Sequence, residues 1–126
     1  IFHNRLWTVF VCQIQVEGQP NPRSLANFLM QANGAEMLRI ACILMTEAGI
    51  RVCAPVHDAV LIEAPLEELD ERVGQAQELM SEASRQVLGS FALTIDADIY
   101  RYPERYRDEE RGGAFWDKVI SLLQSI

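Results

Sequence analysis

The apolar positions of this chain change their spacing along its length, and the spacing predicts most of its elements. Residues 5–16, RLWTVFVCQIQV, are dense in Val, Ile, Thr and aromatic side chains, the make-up of a strand or a bent hairpin arm. EGQPNP (17–22) is turn chemistry. From Arg23 to Ala48 the apolar residues Leu25, Phe28, Leu29, Met37, Ile40, Ala41 and Leu44 recur at spacings of three and four, which predicts a long helix stopped by Gly49. Residues 50–64 read as two short β-runs with His57-Asp58 at their junction. Pro65 is placed to open a second helix that runs to Leu88 and stops at Gly89. FALTIDADIY (91–100) alternates as a strand does, and a polar loop bearing Arg and Tyr leads to a last amphipathic helix over 113–125. The order β-α-β-β-α-β-α predicts an α+β fold, with helices on one face of an antiparallel sheet.

Composition adds limits to this picture. Of the 126 residues 49% are hydrophobic, enough for a packed core and against disorder. The length suits one domain or a piece of a larger one. The chain begins at Ile1 without a methionine, and IFHN carries no helix start signal. Residues 1–126 are therefore expected to be a single, incomplete domain of a longer protein. The three cysteines, Cys12, Cys42 and Cys53, form no C-x-x-C pair and suggest buried, reduced thiols in a cytoplasmic setting. No apolar run is long enough for a membrane span and no signal peptide is visible, so no membrane partner is expected. The net charge of −7 argues against a free-standing nucleic-acid binder, though not against a part of one whose basic surfaces lie elsewhere.

Within CAPVHDAVLIEAP (53–65) the pair His57-Asp58 sits in the middle of apolar sequence. A carboxylate is costly to bury without a partner or a metal. A turn between antiparallel strands resolves the conflict by putting Asp58 at the tip, where it meets solvent or a metal ion. Asp also serves turns structurally, by bonding nearby backbone amides. Separately, Arg23, Asn27 and Gln31 fall at i, i+4 and i+8 and form one polar row on an otherwise apolar helix. Such side chains suit base edges and sugar oxygens, and minor-groove acceptors occur on every base pair.

The stretch RSLANFLMQANGAEMLRIACILMTEAGIRVCAPVHDAVLIEAP carries R-x-x-x-N-x-x-x-Q, then a helix, then a strand ending in V-H-D. In order and spacing this resembles the C-terminal palm segment of family A (DNA polymerase I type) DNA polymerases, over residues 8 to 100. The resemblance implies a DNA-directed nucleotidyltransferase of DNA replication or repair, with primer–template DNA and deoxynucleoside triphosphates as partners. It implies that Asp58 is the second catalytic carboxylate and a metal ligand. It gives His57 the primer-terminus contact, and gives Arg23, Asn27 and Gln31 the primer–template minor groove. The family usually carries Glu where Ala59 stands and often Pro where Leu29 stands.

The implied cofactor is Mg²⁺ in a two-metal site that this chain fills only in part, because nucleotidyl transfer uses two ions held by carboxylates from separate strands. The chain alone is expected to be inactive and to form a homodimer through its open sheet edge and apolar face. Residues 63–82 hold seven acids against Arg72 and read as the solvated face of the second helix. Arg101, Arg105, Arg107 and Arg111 read as a loop paired internally with Glu104, Asp108, Glu109 and Glu110. Two alternatives stand beside this reading. One is a non-catalytic α+β interaction module. The other is an HD-type metal phosphohydrolase, a class that places His-Asp on a helix and needs further histidines, of which only His3 remains.

Overall fold

A computed structural model of the chain describes residues 5–8, 10, 13–15, 21–106, 108 and 110–125. The expectations that rest on His3, Cys12, the 17–20 turn, Arg107 and Glu109 lie outside these residues. The elements are β1 (Arg5–Trp7), β2 (Gln13–Gln15), α1 (Pro22–Glu47), β3 (Arg51–Val56), β4 (Ala59–Glu63), α2 (Leu69–Leu88) and α3 (Gly113–Gln124). The fold is a small α+β arrangement in which helices pack against an antiparallel hairpin. Among the described residues no helix is long and apolar enough to cross a membrane.

The bent arm foreseen at 5–16 contains two short strands, with Arg5 opposite Gln15 and Trp7 opposite Gln13. α1 begins where its capping residues dictate. The Asn21 side chain accepts the Arg23 N–H at 2.9 Å, and Pro22 occupies the first turn, where its missing donor costs nothing. At its other end Gly49 takes φ 77°, and the Ile50 N–H returns to the Met45 carbonyl at 2.9 Å, which turns the chain back into β3. β3 and β4 then pair directly, Val52 opposite Ile62 and Val56 opposite Ala59.

The core is where α1, α2 and the hairpin meet. Ile40, Ala41 and Met45 of α1, Ile50, and Ala76, Ala83 and Val87 of α2 are buried together, with Val52, Val60 and Ile62 of the hairpin packed against them. Met45 is fully buried. The N-terminal half of α1 takes no part in this core, and Met30 is 74% exposed.

Three sequence expectations require correction. α2 starts at Leu69 and not at Pro65, because the Glu68 N–H closes a turn onto the Pro65 carbonyl at 3.0 Å before the helix begins. Residues 91–100 are not a strand of any sheet among the described residues. Their backbone is held by side chains of α2 instead: the Leu93 N–H donates to Ser84 Oγ (2.9 Å), Ser81 Oγ donates to the Leu93 carbonyl (2.6 Å), and the Gln77 amide donates to the Ile95 carbonyl (2.7 Å). Cys53 is exposed and not buried, while Cys42 is half-buried. The reason is a β-bulge between Val52 and Ala54 that leaves Cys53 as the extra residue, outside the pairing.

Candidate functional site

The β3–β4 hairpin presents His57 and Asp58 as the two central residues of a two-residue turn closed by Val56 and Ala59. Both are exposed. His57 has φ 55°, whereas Asp58 is not among the residues of positive φ. That sign pattern belongs to a type II′ turn, whose first central position is ordinarily glycine. A side chain there carries strain of about 1 kcal/mol. The turn leaves both side chains exposed at the tip of the hairpin. Pro55 fits the strand because it pairs with Val60 one step from the closing pair, where a backbone N–H points away from the partner strand.

The hairpin runs back along α1 from Gly49, and both of its strands touch that helix. At about 3.3 Å per residue, β3 covers about 20 Å, the length of about 13 helical residues. Arg23, Asn27 and Gln31 are all exposed. Along α1 they span about 12 Å from Arg23 to Gln31.

Some of the charged residues expected to be solvated or self-paired are in specific pairs. Arg51 meets Glu63 across the base of the hairpin at 2.6 Å, and the hydrogen bond with Glu63 holds Arg51 above its usual pKa. Arg72 meets Glu68 at 3.0 Å and Arg85 meets Glu82 at 2.7 Å. Arg101, expected to pair within its own loop, donates instead to Asp70 at the start of α2. The hollow at the hairpin base, about 320 Å³, is bordered by Arg51, Glu63, Glu68 and Arg72. It lies at the opposite end of the hairpin from His57-Asp58, and its arginines are already paired with its acids, so it does not add to that site.

Sequence reasoning missed Glu36. It is the one charged residue among the buried described residues, and its carboxylate takes Arg39 Nη2 at 2.6 Å. The apolar periodicity of α1 gave no signal for it. Glu36 is set five residues beyond Gln31, on the stretch of α1 that enters the core.

Asp58 supplies one carboxylate at the turn, and among the described residues no three His, Cys, Asp or Glu side chains converge on a common point. This donor set suits one corner of a Mg²⁺ site, since that ion is held by one or two carboxylates together with waters and substrate phosphates. The position of His57-Asp58 on a turn removes the helix on which the phosphohydrolase alternative depends. Comparison with protein-family models, curated proteins and solved structures finds no match to this chain.

Proposed function

We propose that this chain is the C-terminal palm segment of a family A, template-directed DNA polymerase acting in the cytoplasm. Asp58 offers one carboxylate to the metal site, and His57 contacts the primer terminus. Arg23, Asn27 and Gln31 hold the primer–template through minor-groove acceptors, without reading sequence. When bound, two Mg²⁺ ions activate the attacking hydroxyl and neutralise charge on the triphosphate.

The observation that supports this most is the placement of His57 and Asp58 in a tight exposed turn, with His57 in left-handed backbone. A turn selected for folding alone would favour glycine or Asn-Gly there. A histidine in strained backbone beside an exposed acid points to a role outside folding. Ala59 closes the turn, so no second acid follows Asp58.

The test is paramagnetic. Mn²⁺ added with a primer–template duplex should selectively broaden the amide resonances of His57, Asp58 and Ala59. Asp58→Asn should abolish that broadening while leaving thermal unfolding unchanged. Broadening that survives Asp58→Asn, or that centres on the acids of α2, would overturn the assignment.

A further inference from the structure

Residues 91–99 keep the alternation of a strand in sequence, and the hydrogen bonds of their backbone among the described residues go to a helix. The backbone groups that α2 engages belong to odd-numbered residues, Leu93 and Ile95. Their partners Ser84, Ser81 and Gln77 are spaced by three and four, so they form one face of α2. Arg101 extends the attachment to Asp70, two turns further toward the start of that helix. In an extended chain the backbone groups of alternate residues point to opposite edges. The N–H and C=O groups of Ala92, Thr94, Asp96 and Asp98, at the positions that alternate with the bonded ones, have no hydrogen-bond partner among the described residues. The side chains of Thr94, Asp96 and Asp98 are exposed. Neither Asp96 nor Asp98 has an ion pair among the described residues, whereas Asp70 and Glu82 on the neighbouring helix each have an arginine.

We infer that residues 92–98 are a strand-addition edge whose occupant is an extended polypeptide segment with basic residues at alternate positions. Strand addition gives the open amides and carbonyls their bonds, and alternate side chains give the specificity. Opposite charges directly across a strand pair are favourable and like charges are not. That rule selects Lys or Arg opposite Asp96 and Asp98. It also disfavours a second copy of this chain, which would bring the same two acids and a net charge of −7. The inference is independent of the polymerase reading.

The probe is an end-blocked peptide of alternating valine and lysine, followed by amide hydrogen exchange on the whole chain. At saturation it should slow exchange of the Thr94, Asp96 and Asp98 amides by about tenfold or more, as expected of newly bonded strand amides. The Leu93 amide, already bonded to Ser84, should not respond. The same peptide N-methylated at its lysine amides, which lie directly opposite Asp96 and Asp98, cannot donate to the ladder and should produce no protection. Asp96→Asn with Asp98→Asn should weaken binding roughly three- to tenfold while leaving helix content unchanged, the worth of two cross-strand charge pairs. Equal binding of the N-methylated peptide would reduce the effect to charge attraction and overturn the proposal. Protection centred on β4 would overturn it as well. So would protection that grows with protein concentration without peptide, which would make a second copy the occupant.

Discussion

Val56 and Ala59 face each other across a turn of only two residues, and this forces His57 into left-handed backbone. The cost of that backbone depends on the side chain that occupies it. A β-branched residue tolerates positive φ worst, and glycine tolerates it freely. His57→Val should therefore lower stability by about 1–2 kcal/mol, whereas His57→Gly should stay within about 0.5 kcal/mol, because relief of strain is offset by the greater freedom of the unfolded chain. Urea denaturation of the two variants checks this, and equal effects would mean that the turn carries no strain.

Ser84 is almost completely buried, and its hydroxyl both donates to the Ser81 carbonyl and accepts the Leu93 N–H. Ser84→Ala leaves that N–H without its acceptor. The expected loss is about 1–2 kcal/mol. Exchange of the Leu93 amide should accelerate while the β3–β4 amides keep their protection, since only the attachment of 91–99 to α2 is weakened.

These two sites mark the boundary of what the sequence discloses. The hairpin turn was legible because turn chemistry is local: Val56, His57, Asp58 and Ala59 decide it among themselves. The stops at Gly49 and Gly89 were legible for the same reason, each taking the positive φ that ends its helix. FALTIDADIY misled because alternation specifies an extended chain and one apolar face, not the partner that bonds its backbone. Ser81, Ser84 and Gln77 supply that partner from a helix, and nothing local to 91–100 announces it. The Arg101–Asp70 pair was hidden likewise, since nearer acids compete in sequence but not in space. At the candidate site, the turn and the exposed polar row follow from residue order.

Met45 and Met30 lie on one helix at opposite extremes of burial, 0% and 74% exposed. Met45→Ala removes side-chain volume between α1, α2 and the hairpin and should cost about 2–5 kcal/mol. Met30→Ala should change stability by less than about 0.5 kcal/mol. Chemical denaturation of both variants tests whether the folding core lies at the C-terminal half of α1.

Acid should act partly through Glu82. Hydrogen bonds from Arg85, and then from Gln86, hold its carboxyl below the usual glutamate pKa. A carboxyl lowered in the folded state adds stability that is fully present above its unfolded pKa and is lost as pH falls through the folded value. In Arg85→Ala the Glu82 titration should move upward toward the ordinary range, and that variant should lose less stability on acidification than the parent chain does. A carbon-detected titration of the Glu82 carboxyl shows the first effect directly, and no movement would place the cause elsewhere.

The last prediction concerns the 126-residue chain on its own. It should incorporate no nucleotide into a primer–template with Mg²⁺ or Mn²⁺, because Asp58 is one carboxylate and two hydrated ions need more. It should also associate with itself. On α3, Phe115, Val119 and Leu122 form one row at i, i+4 and i+7, and Trp116, Ile120 and Leu123 form the adjacent row. Phe115 is 71% exposed, and Trp116, Leu122 and Leu123 are exposed beside it. Apolar faces of this kind on soluble chains tend to be covered by another chain, most often across a twofold axis. Sedimentation equilibrium should give a dimer at high concentration. Phe115→Asp with Trp116→Asp should return it to a monomer without loss of the α1–α2 core. A parent chain that stays monomeric would show that α3 is not the associating surface, and nucleotide incorporation by the chain alone would show that Asp58 is not half of a divided site.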